Sequence, residues 1–202
     1  MKRISIFAIT MLLAGIVNAQ VGIKGGVNFS NIIKTGNKDF STELKPGFNA
    51  GLFFEIPVVD RLSFAPELMY SQKGYKATGN SLLGGPYEYS ETTNFIDIPI
   101  LAKIKAAPGF SIHLGPQVSF LTSTTTKYTS GSSEFKKTID ADNDNLRKSI
   151  FGGVIGVGFD TGSNVGITAR YALDFQKNNG DGTSEIPEYK NQVFQLSLGI
   201  KL

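Results

Sequence analysis

The sequence predicts an all-β fold, an eight-stranded antiparallel up-and-down β-barrel, and three observations support this prediction. From Gln20 onward, apolar residues recur at every second position, which is the spacing of a strand with one apolar and one polar face. The alternating runs are even in number and about ten residues long. Short and long connections alternate between them, so all short turns fall at one end of the sheet and all long loops at the other.

Each of the eight strands is predicted from its apolar face. The apolar positions, run by run, are Val21, Ile23, Val27 and Phe29; Phe48, Ala50, Leu52, Phe54 and Ile56; Leu62, Phe64, Leu68 and Tyr70; Ile96, Ile98, Ile100, Ala102 and Ile104; Phe110, Ile112, Leu114, Val118 and Phe120; Phe151, Ile155, Val157 and Phe159; Val165, Ile167, Ala169, Tyr171, Leu173 and Phe175; and Phe194, Leu196, Leu198, Ile200 and Leu202. None of these positions holds a charged residue, so each run predicts a strand with one uncharged face.

The opposite faces of the same runs carry equal numbers of basic and acidic residues. The basic residues are Lys24, Lys103, Arg170 and Lys201, and the acidic residues are Glu55, Glu67, Asp97 and Asp174. The single histidine, His113, lies on the same face. Burying isolated charges is costly, so each charge is expected to find an opposite partner or a trapped water. We predict that these nine residues form a neutral network that plugs the lumen of the barrel.

The connections predict the orientation of the barrel. Those at 57–61, 105–109 and 160–164 are the size of hairpin turns, whereas those at 30–46, 73–94, 121–149 and 176–191 are long. In outer-membrane barrels the short turns are periplasmic and the long loops are extracellular. We therefore expect the four long segments to be extracellular loops.

Two closed architectures fit this pattern, a soluble calyx of the lipocalin kind and a transmembrane barrel. The calyx hides its apolar face inside, whereas the transmembrane barrel turns that face to lipid. The polar faces are crowded with glycines such as Gly26, Gly115 and Gly156, and the narrow interior of an eight-stranded barrel suits small residues. The transmembrane barrel is therefore favoured.

Three prolines conflict with a regular closed barrel. Pro66, Pro99 and Pro116 lie inside the predicted strands, where each removes a hydrogen bond from the ladder. A closed barrel has no free edge on which to place them. β-Bulges at these positions would resolve the conflict.

The N-terminus predicts a secretory signal peptide over residues 1–19, followed by a barrel domain over residues 20–202. Lys2 and Arg3 precede an apolar run, and Ala19 ends a short stretch that suits cleavage by a signal peptidase. Loss of these two basic residues lowers the formal net charge from +3 to +1. A chain so close to neutral is a poor candidate for binding nucleic acid.

The composition excludes several kinds of site. Without cysteine there is no disulfide framework, thiolate metal cluster or thiol nucleophile, and one histidine excludes a site built from several imidazoles. The acidic segment 140–145 begins like a calcium loop, but Asn145 and Phe151 stand where an EF-hand has Gly and Glu. We therefore expect no enzymatic activity, no cofactor and no metal.

Several motifs together resemble a known family. They are the segments Val21–Asn28, Pro66–Gly74, Ile96–Leu101, Leu114–Pro116, Ala169–Tyr171 and Leu198–Leu202. As a set they are similar to the PorT-like outer membrane beta-barrel domain family, which is typical of Bacteroidetes. The resemblance implies an outer-membrane location and an eight-stranded fold, and one relative supports a protein secretion system. Leu202 departs from the family, whose chains usually end in Phe.

The sequence thus predicts an integral, monomeric outer-membrane barrel surrounded by outer-membrane lipid. Its predicted role is structural, or an interaction with other envelope proteins through the extracellular loops. Two alternatives remain open at this stage: a porin-like channel for small solutes and an accessory barrel of a protein secretion system. A secreted, soluble binding calyx is a third hypothesis.

Overall fold

The computed structural model describes residues 20–35, 41–81, 85–130, 133–140, 146–162, 164–179 and 188–202. These residues form ten strands: β1 Gln20–Lys34, β2 Thr42–Glu43, β3 Lys45–Val59, β4 Leu62–Ser81, β5 Gly85–Ala107, β6 Phe110–Ser130, β7 Ser133–Asp140, β8 Ser149–Asp160, β9 Val165–Asp174 and β10 Tyr189–Lys201. The predicted signal peptide and most of the acidic segment 140–145 lie outside the described residues.

Eight of the strands close into a ring in which every neighbouring pair is antiparallel. The order around the ring is β1, β3, β4, β5, β6, β8, β9 and β10, and β10 pairs again with β1. The short strands β2 and β7 add to the extracellular parts of β4 and β6. The predicted eight-stranded antiparallel barrel is confirmed. Within the described residues, no helix is long and apolar enough to cross a membrane.

The two faces of each strand meet different surroundings. In β6 the side chains of Phe110, Ile112 and Leu114 point outward and are exposed, whereas Ser111 and His113 between them are buried. The same alternation runs through the other ring strands, so large apolar side chains cover the outer wall and polar ones fill the interior. This distribution is the reverse of that in a water-soluble barrel, and it places lipid around the wall.

An aromatic girdle marks the extracellular limit of the apolar band. Its outward-facing members are Phe29, Phe48, Tyr70, Phe120, Phe151, Phe175 and Phe194. Several are in ring contact, with centroids 5.5 Å apart for Phe48 and Tyr70 and 5.9 Å apart for Phe151 and Phe175. Aromatic rings favour the interface between lipid and water, so the membrane-spanning segments end at this girdle.

Two of the predicted long loops are largely β-structure, which corrects the predicted loops 73–94 and 121–149. β4 and β5 remain paired as far as Ser81 and Gly85, and β6 continues to Ser130 before β7 folds back on it. We call residues 72–81, 85–94, 122–130 and 133–140, which lie beyond the girdle, the extracellular sheet. Thr and Tyr favour strands there, but outside the lipid no apolar face is required, so the period-two signal disappears.

The structure accommodates Pro66, Pro99 and Pro116 without β-bulges. The β4–β5 ladder keeps one register across a gap that begins after Pro66 and contains Pro99. The β5–β6 ladder has a similar gap that begins after Pro99 and contains Pro116. The register shifts lie elsewhere, at Pro57/Val59, Asn94/Phe95 and Lys105/Ala107. Proline has no N–H to donate to a ladder. Each of these prolines lies in a gap where residue pairs are missing from one of the two ladders of its strand.

Candidate functional site

The lumen contains all nine residues that the sequence placed on its polar faces. We call the group in the periplasmic half the periplasmic cluster; it contains Lys24, Glu55, Glu67, Lys103, His113, Asp160, Arg170 and Lys201. The other two predicted residues, Asp97 and Asp174, lie further toward the extracellular side and share a different cation. The structure thus divides one predicted network into two.

The centre of the periplasmic cluster is Glu67 on β4. Arg170 on β9 donates two hydrogen bonds to it, from Nη1 to Oε2 at 2.7 Å and from Nη2 to Oε1 at 2.9 Å. The Nζ of Lys24 on β1 lies 2.5 Å from Oε1 of the same carboxylate. All three side chains are almost fully buried. Because β4 and β9 are opposite each other in the ring, the Arg170–Glu67 pair crosses the lumen.

Glu55 organises the part of the cluster nearest the periplasm. Lys103 and Lys201 lie 3.0 Å and 3.3 Å from its Oε2 atom, and the Ser63 hydroxyl donates to Oε1. Lys103 also contacts Asp160 at 3.0 Å. Both oxygens of Glu55 are therefore engaged, and the lysines join β5, β8 and β10 to β3.

His113 is held as a neutral imidazole by its two partners. Arg170 Nη2 lies 2.8 Å from Nδ1, and Ser111 Oγ lies 2.9 Å from Nε2. A guanidinium can only donate, so Nδ1 accepts and the proton sits on Nε2, which donates to Ser111. The Ser111 hydroxyl is directed in turn to the backbone oxygen of Gly158. His113 thus orients Arg170, and because its Nε2 carries the proton, the imidazole cannot take a proton from Ser111.

A second ion cluster surrounds Lys73, which sequence analysis placed in a loop. The Nζ of Lys73 lies 3.1 Å from Asp97 and 3.9 Å from Asp174, and it also donates to Ser119. Its ammonium group lies 4.6 Å from the ring centroid of Phe95. We call Lys73, Asp97 and Asp174 the Lys73 cluster; it contains one cation and two carboxylates.

A neutral amide layer connects the walls at the level between the two clusters. Asn28 donates to Ser71, and Asn49 donates to the Oδ1 of Asn28 at 2.6 Å. Ser197 on β10 donates to Asn49 at 2.9 Å. Buried polar groups that are bonded in this way fix the positions of the strands around them.

Above the girdle, three tyrosines surround a buried carboxylate. We call Tyr75, Tyr89, Tyr189 and Glu91 the tyrosine cluster. The hydroxyl of Tyr89 donates to Glu91 at 3.0 Å, and Tyr189 donates to the other carboxylate oxygen. Burial raises the pKa of the Glu91 carboxyl above its ordinary value, although these two hydrogen bonds oppose the shift. Burial and the nearby Glu91 raise the pKa of Tyr89 to about 12.

Two small cavities meet at Arg170. The larger, of about 40 Å³, is lined by the periplasmic cluster together with Thr168 and opens beside Asn164. The smaller, of about 10 Å³, lies toward Asp97 and Gln117. The bonded Arg170 side chain therefore stands between them. In the described part of the chain, no group of three or more His, Asp and Glu side chains is placed to hold a metal ion.

Sequence analysis assigned Lys73, Asp160 and Glu91 to connections, and a simple signal was available for two of them. Lys73 continues the inward-facing positions that precede it on β4, and Asp160 continues those on β8. Both were assigned to connections because the apolar stripe on the other face had ended. Glu91 has no such signal, because the extracellular sheet lacks an apolar stripe.

The extracellular sheet carries exposed aromatic side chains. Tyr87 stacks on Tyr128 with ring centroids 5.6 Å apart, and Tyr128 is paired in register with Phe135 on β7. Phe135 is 63% exposed. The ion pairs Lys76–Glu88 and Lys127–Glu134 connect the strands on which these rings lie.

A closed barrel with an apolar outer wall and a charged interior defines a transmembrane β-barrel protein. Comparison with known proteins identifies the family to which the chain belongs. Residues 17–199 match a family model described as the outer membrane protein beta-barrel domain. The chain belongs to this family, and its location is the outer membrane. No functionally curated protein matches the sequence.

Solved structures are similar to this chain at low sequence identity. The attachment invasion locus protein Ail of Yersinia pestis, in complex with the heparin analogue sucrose octasulfate, has a TM-score of 0.51 at 13% identity, with 91% of this chain and 99% of that chain covered. Neisserial surface protein A has a TM-score of 0.49 at 11% identity, with 92% and 99% covered. At 13% identity, the similarity to Ail establishes the fold alone.

Proposed function

We propose that the protein is a monomeric, non-enzymatic outer-membrane barrel whose lumen is plugged and whose role is exercised through the extracellular sheet. The observation that carries the proposal is the ion pairing across the lumen. Arg170 and Glu67 come from opposite walls and bond directly to each other. Lys73 likewise reaches from β4 toward Asp174 on the opposite strand β9. Charges paired in this way block a lumen, whereas a pore lines its water with separated charges.

The extracellular sheet supports an interaction role. Tyr128 and Phe135 form an exposed aromatic strip on a sheet that ion pairs hold together. Aromatic side chains on an ordered scaffold are typical anchors of protein interfaces. The occupant that fits this strip is another protein of the cell envelope or the outer surface.

Planar-bilayer recordings test the plugged lumen against the porin-like alternative. The purified wild-type protein is expected to give no stable conductance steps. Arg170→Ala removes the guanidinium that crosses the lumen. If this variant also gives no conductance, the channel is excluded. Stable steps in the wild type would support the channel for small solutes and overturn the plug.

Photo-crosslinking in the native outer membrane tests the interaction role. A crosslinking residue at Phe135 is expected to give a discrete protein adduct. The same residue at Phe64, on the lipid-facing wall, serves as the control and should give none. Lipid adducts alone at both positions would count against an interaction through the sheet.

Two further assignments are proposals that rest on sequence. Residues 1–19 form the signal peptide, and N-terminal sequencing of the membrane-bound protein is expected to begin at Gln20. Membership of the PorT-like group is supported by the motifs Pro66–Gly74 and Ile96–Leu101. The accessory role in a protein secretion system rests on that resemblance alone.

A further inference from the structure

We propose that the periplasmic cavity beside Arg170 and Thr168 is a binding site for one small monovalent anion of the size of chloride. This cavity lies in the periplasmic half of the lumen and has a volume of about 40 Å³. The proposal is independent of the interaction role of the extracellular sheet, because it concerns the opposite end of the barrel.

The charged groups that line the cavity sum to one positive charge, whereas the Lys73 cluster beyond Arg170, with one cation and two carboxylates, sums to one negative charge. The cations are Lys24, Lys103, Arg170 and Lys201, and the carboxylates are Glu55, Glu67 and Asp160. His113 adds no charge, because its Nδ1 accepts from Arg170. Asp97, which shares the smaller cavity with Arg170, is already bonded to Lys73. Because neither Asp97 nor Asp174 lines the cavity, an anion bound there would meet the local excess of positive charge directly.

The hydrogen-bonding groups of the cavity favour an anion over a cation. Both oxygens of Glu67 and both oxygens of Glu55 already accept hydrogen bonds from side chains. In contrast, the Nε of Arg170 and the Oγ1 of Thr168 are buried and have no hydrogen-bond partner among the described residues. The oxygens of these two carboxylates are thus in use, whereas a charged donor and a hydroxyl are available.

The two available groups belong to the same wall of the cavity. Thr168 and Arg170 are two residues apart on β9, so their side chains lie on the same face of the strand. Both line the cavity and are less than a tenth exposed. A buried polar group without a hydrogen-bond partner destabilises the folded protein. An anion that accepts from both groups removes this destabilisation.

The size of the cavity limits the class of ligand. One water needs about 10–15 Å³ of such volume, so the cavity holds about three water-sized spheres. Chloride with one or two waters fits, whereas a sugar acid does not. Asn164, Gly166 and Lys201 form the rim at the periplasmic end, so the anion enters from the periplasm.

The test compares the unfolding of the purified protein in chloride and in gluconate at constant ionic strength. The wild-type protein is expected to show a urea midpoint that rises with chloride and then saturates, with no such rise in gluconate. Lys201→Gln removes the excess charge and is expected to abolish the difference between the two salts. Lys190→Gln, outside the lumen, makes the same change in net charge and should leave the difference intact.

Several results would overturn the site. These are equal midpoints in chloride and gluconate for the wild type, a continued rise without saturation, or loss of the difference in Lys190→Gln as well. If Lys201→Gln does not fold, crystals of the wild-type protein soaked in bromide decide the question. An anomalous peak beside Arg170 Nε and Thr168 Oγ1 is expected, and electron density for water only would contradict the proposal.

Discussion

Arg170 and Glu67 lie 103 residues apart in the chain and on opposite walls of the barrel, yet they form a two-point ion pair across its lumen. Lys24 adds a second cation to the same carboxylate. Charge-assisted, bidentate pairs of this kind are the strongest polar contacts available to a protein. The pair fixes the distance between β4 and β9 at the level where the periplasmic cavity ends.

Removing the Glu67 carboxylate is expected to destabilise the barrel strongly. Glu67→Gln leaves Arg170 and Lys24 buried without their counter-charge, which typically costs about 3–5 kcal/mol. Urea unfolding of the purified protein in detergent measures the change. Glu134→Gln breaks the exposed pair with Lys127 and is expected to cost less than about 1 kcal/mol. Equal effects of the two substitutions would show that Glu67 is not a structural centre.

The raised pKa of Glu91 predicts that stability falls as pH rises. The folded protein holds the Glu91 proton more tightly than the unfolded chain does. Stability from this group is therefore complete below the ordinary glutamate pKa of about 4.5 and is lost as pH rises through the raised folded value. Glu91→Gln should remove this part of the pH dependence.

The measurement is a series of denaturant midpoints from about pH 4 to pH 9. Glu88→Gln is a matched control on the same strand, because Glu88 is exposed and pairs with Lys76 at the surface. The control is expected to keep the pH profile of the wild type. A Glu91→Gln profile that equals the wild type would show that the carboxylate ionises freely in the folded protein.

Two adjacent glycines predict opposite responses to alanine. A Cβ on Gly26 would lie 2.1 Å from the backbone oxygen of Leu196, because this residue faces the crowded lumen. A Cβ on Gly25 faces outward, and its nearest neighbour is 3.7 Å away. Gly26→Ala is expected to cost about 1–3 kcal/mol, whereas Gly25→Ala should be neutral or slightly stabilising.

Unfolding midpoints in urea, measured for both variants, check this difference. The two substitutions add the same methyl group at neighbouring positions of β1. Strand propensity therefore changes equally, and any difference reports the space on each side of the wall. A larger loss for Gly25→Ala would contradict the assignment of the two faces.

The faces of the strands could be predicted from the sequence because lipid and a narrow lumen impose a strict period of two. Side chains alternate along a strand, so counting from the apolar positions predicts whether a residue such as Glu55 or Lys103 points inward. The structure places both in the lumen. The period needs no information about neighbouring strands. It therefore survives in a single sequence without any knowledge of the ring.

The partners within the lumen could not be predicted in the same way. Glu67 bonds to residues 43 and 103 positions away, and this pairing depends on ring closure and on the stagger between strands. The alternation of apolar and polar residues specifies neither the ring closure nor the stagger. Asp97 is separate from the periplasmic cluster because it pairs with Lys73. The sequence did not indicate that Lys73 lies on a strand, because the apolar stripe of β4 ends before it.

The central claim is that lipid surrounds the apolar face and that the charged face lines the lumen. The chain contains no tryptophan, so a single introduced indole reports its own surroundings. Phe53 and Phe54 are neighbours on β3, and the ring of Phe53 lies 5.2 Å from the Lys24 ammonium inside the lumen. Phe54 lies on the same face of β3 as the exposed Leu52, so it points to the outer wall.

The decisive measurement is the quenching of tryptophan fluorescence in vesicles of lipids brominated on their acyl chains. Bromine quenches an indole only at close range, so each variant reports whether its side chain touches lipid. Strong quenching of Phe54→Trp and weak quenching of Phe53→Trp is the result that we predict. Equal quenching, or stronger quenching of Phe53→Trp, would contradict a barrel with lipid outside and ion pairs within.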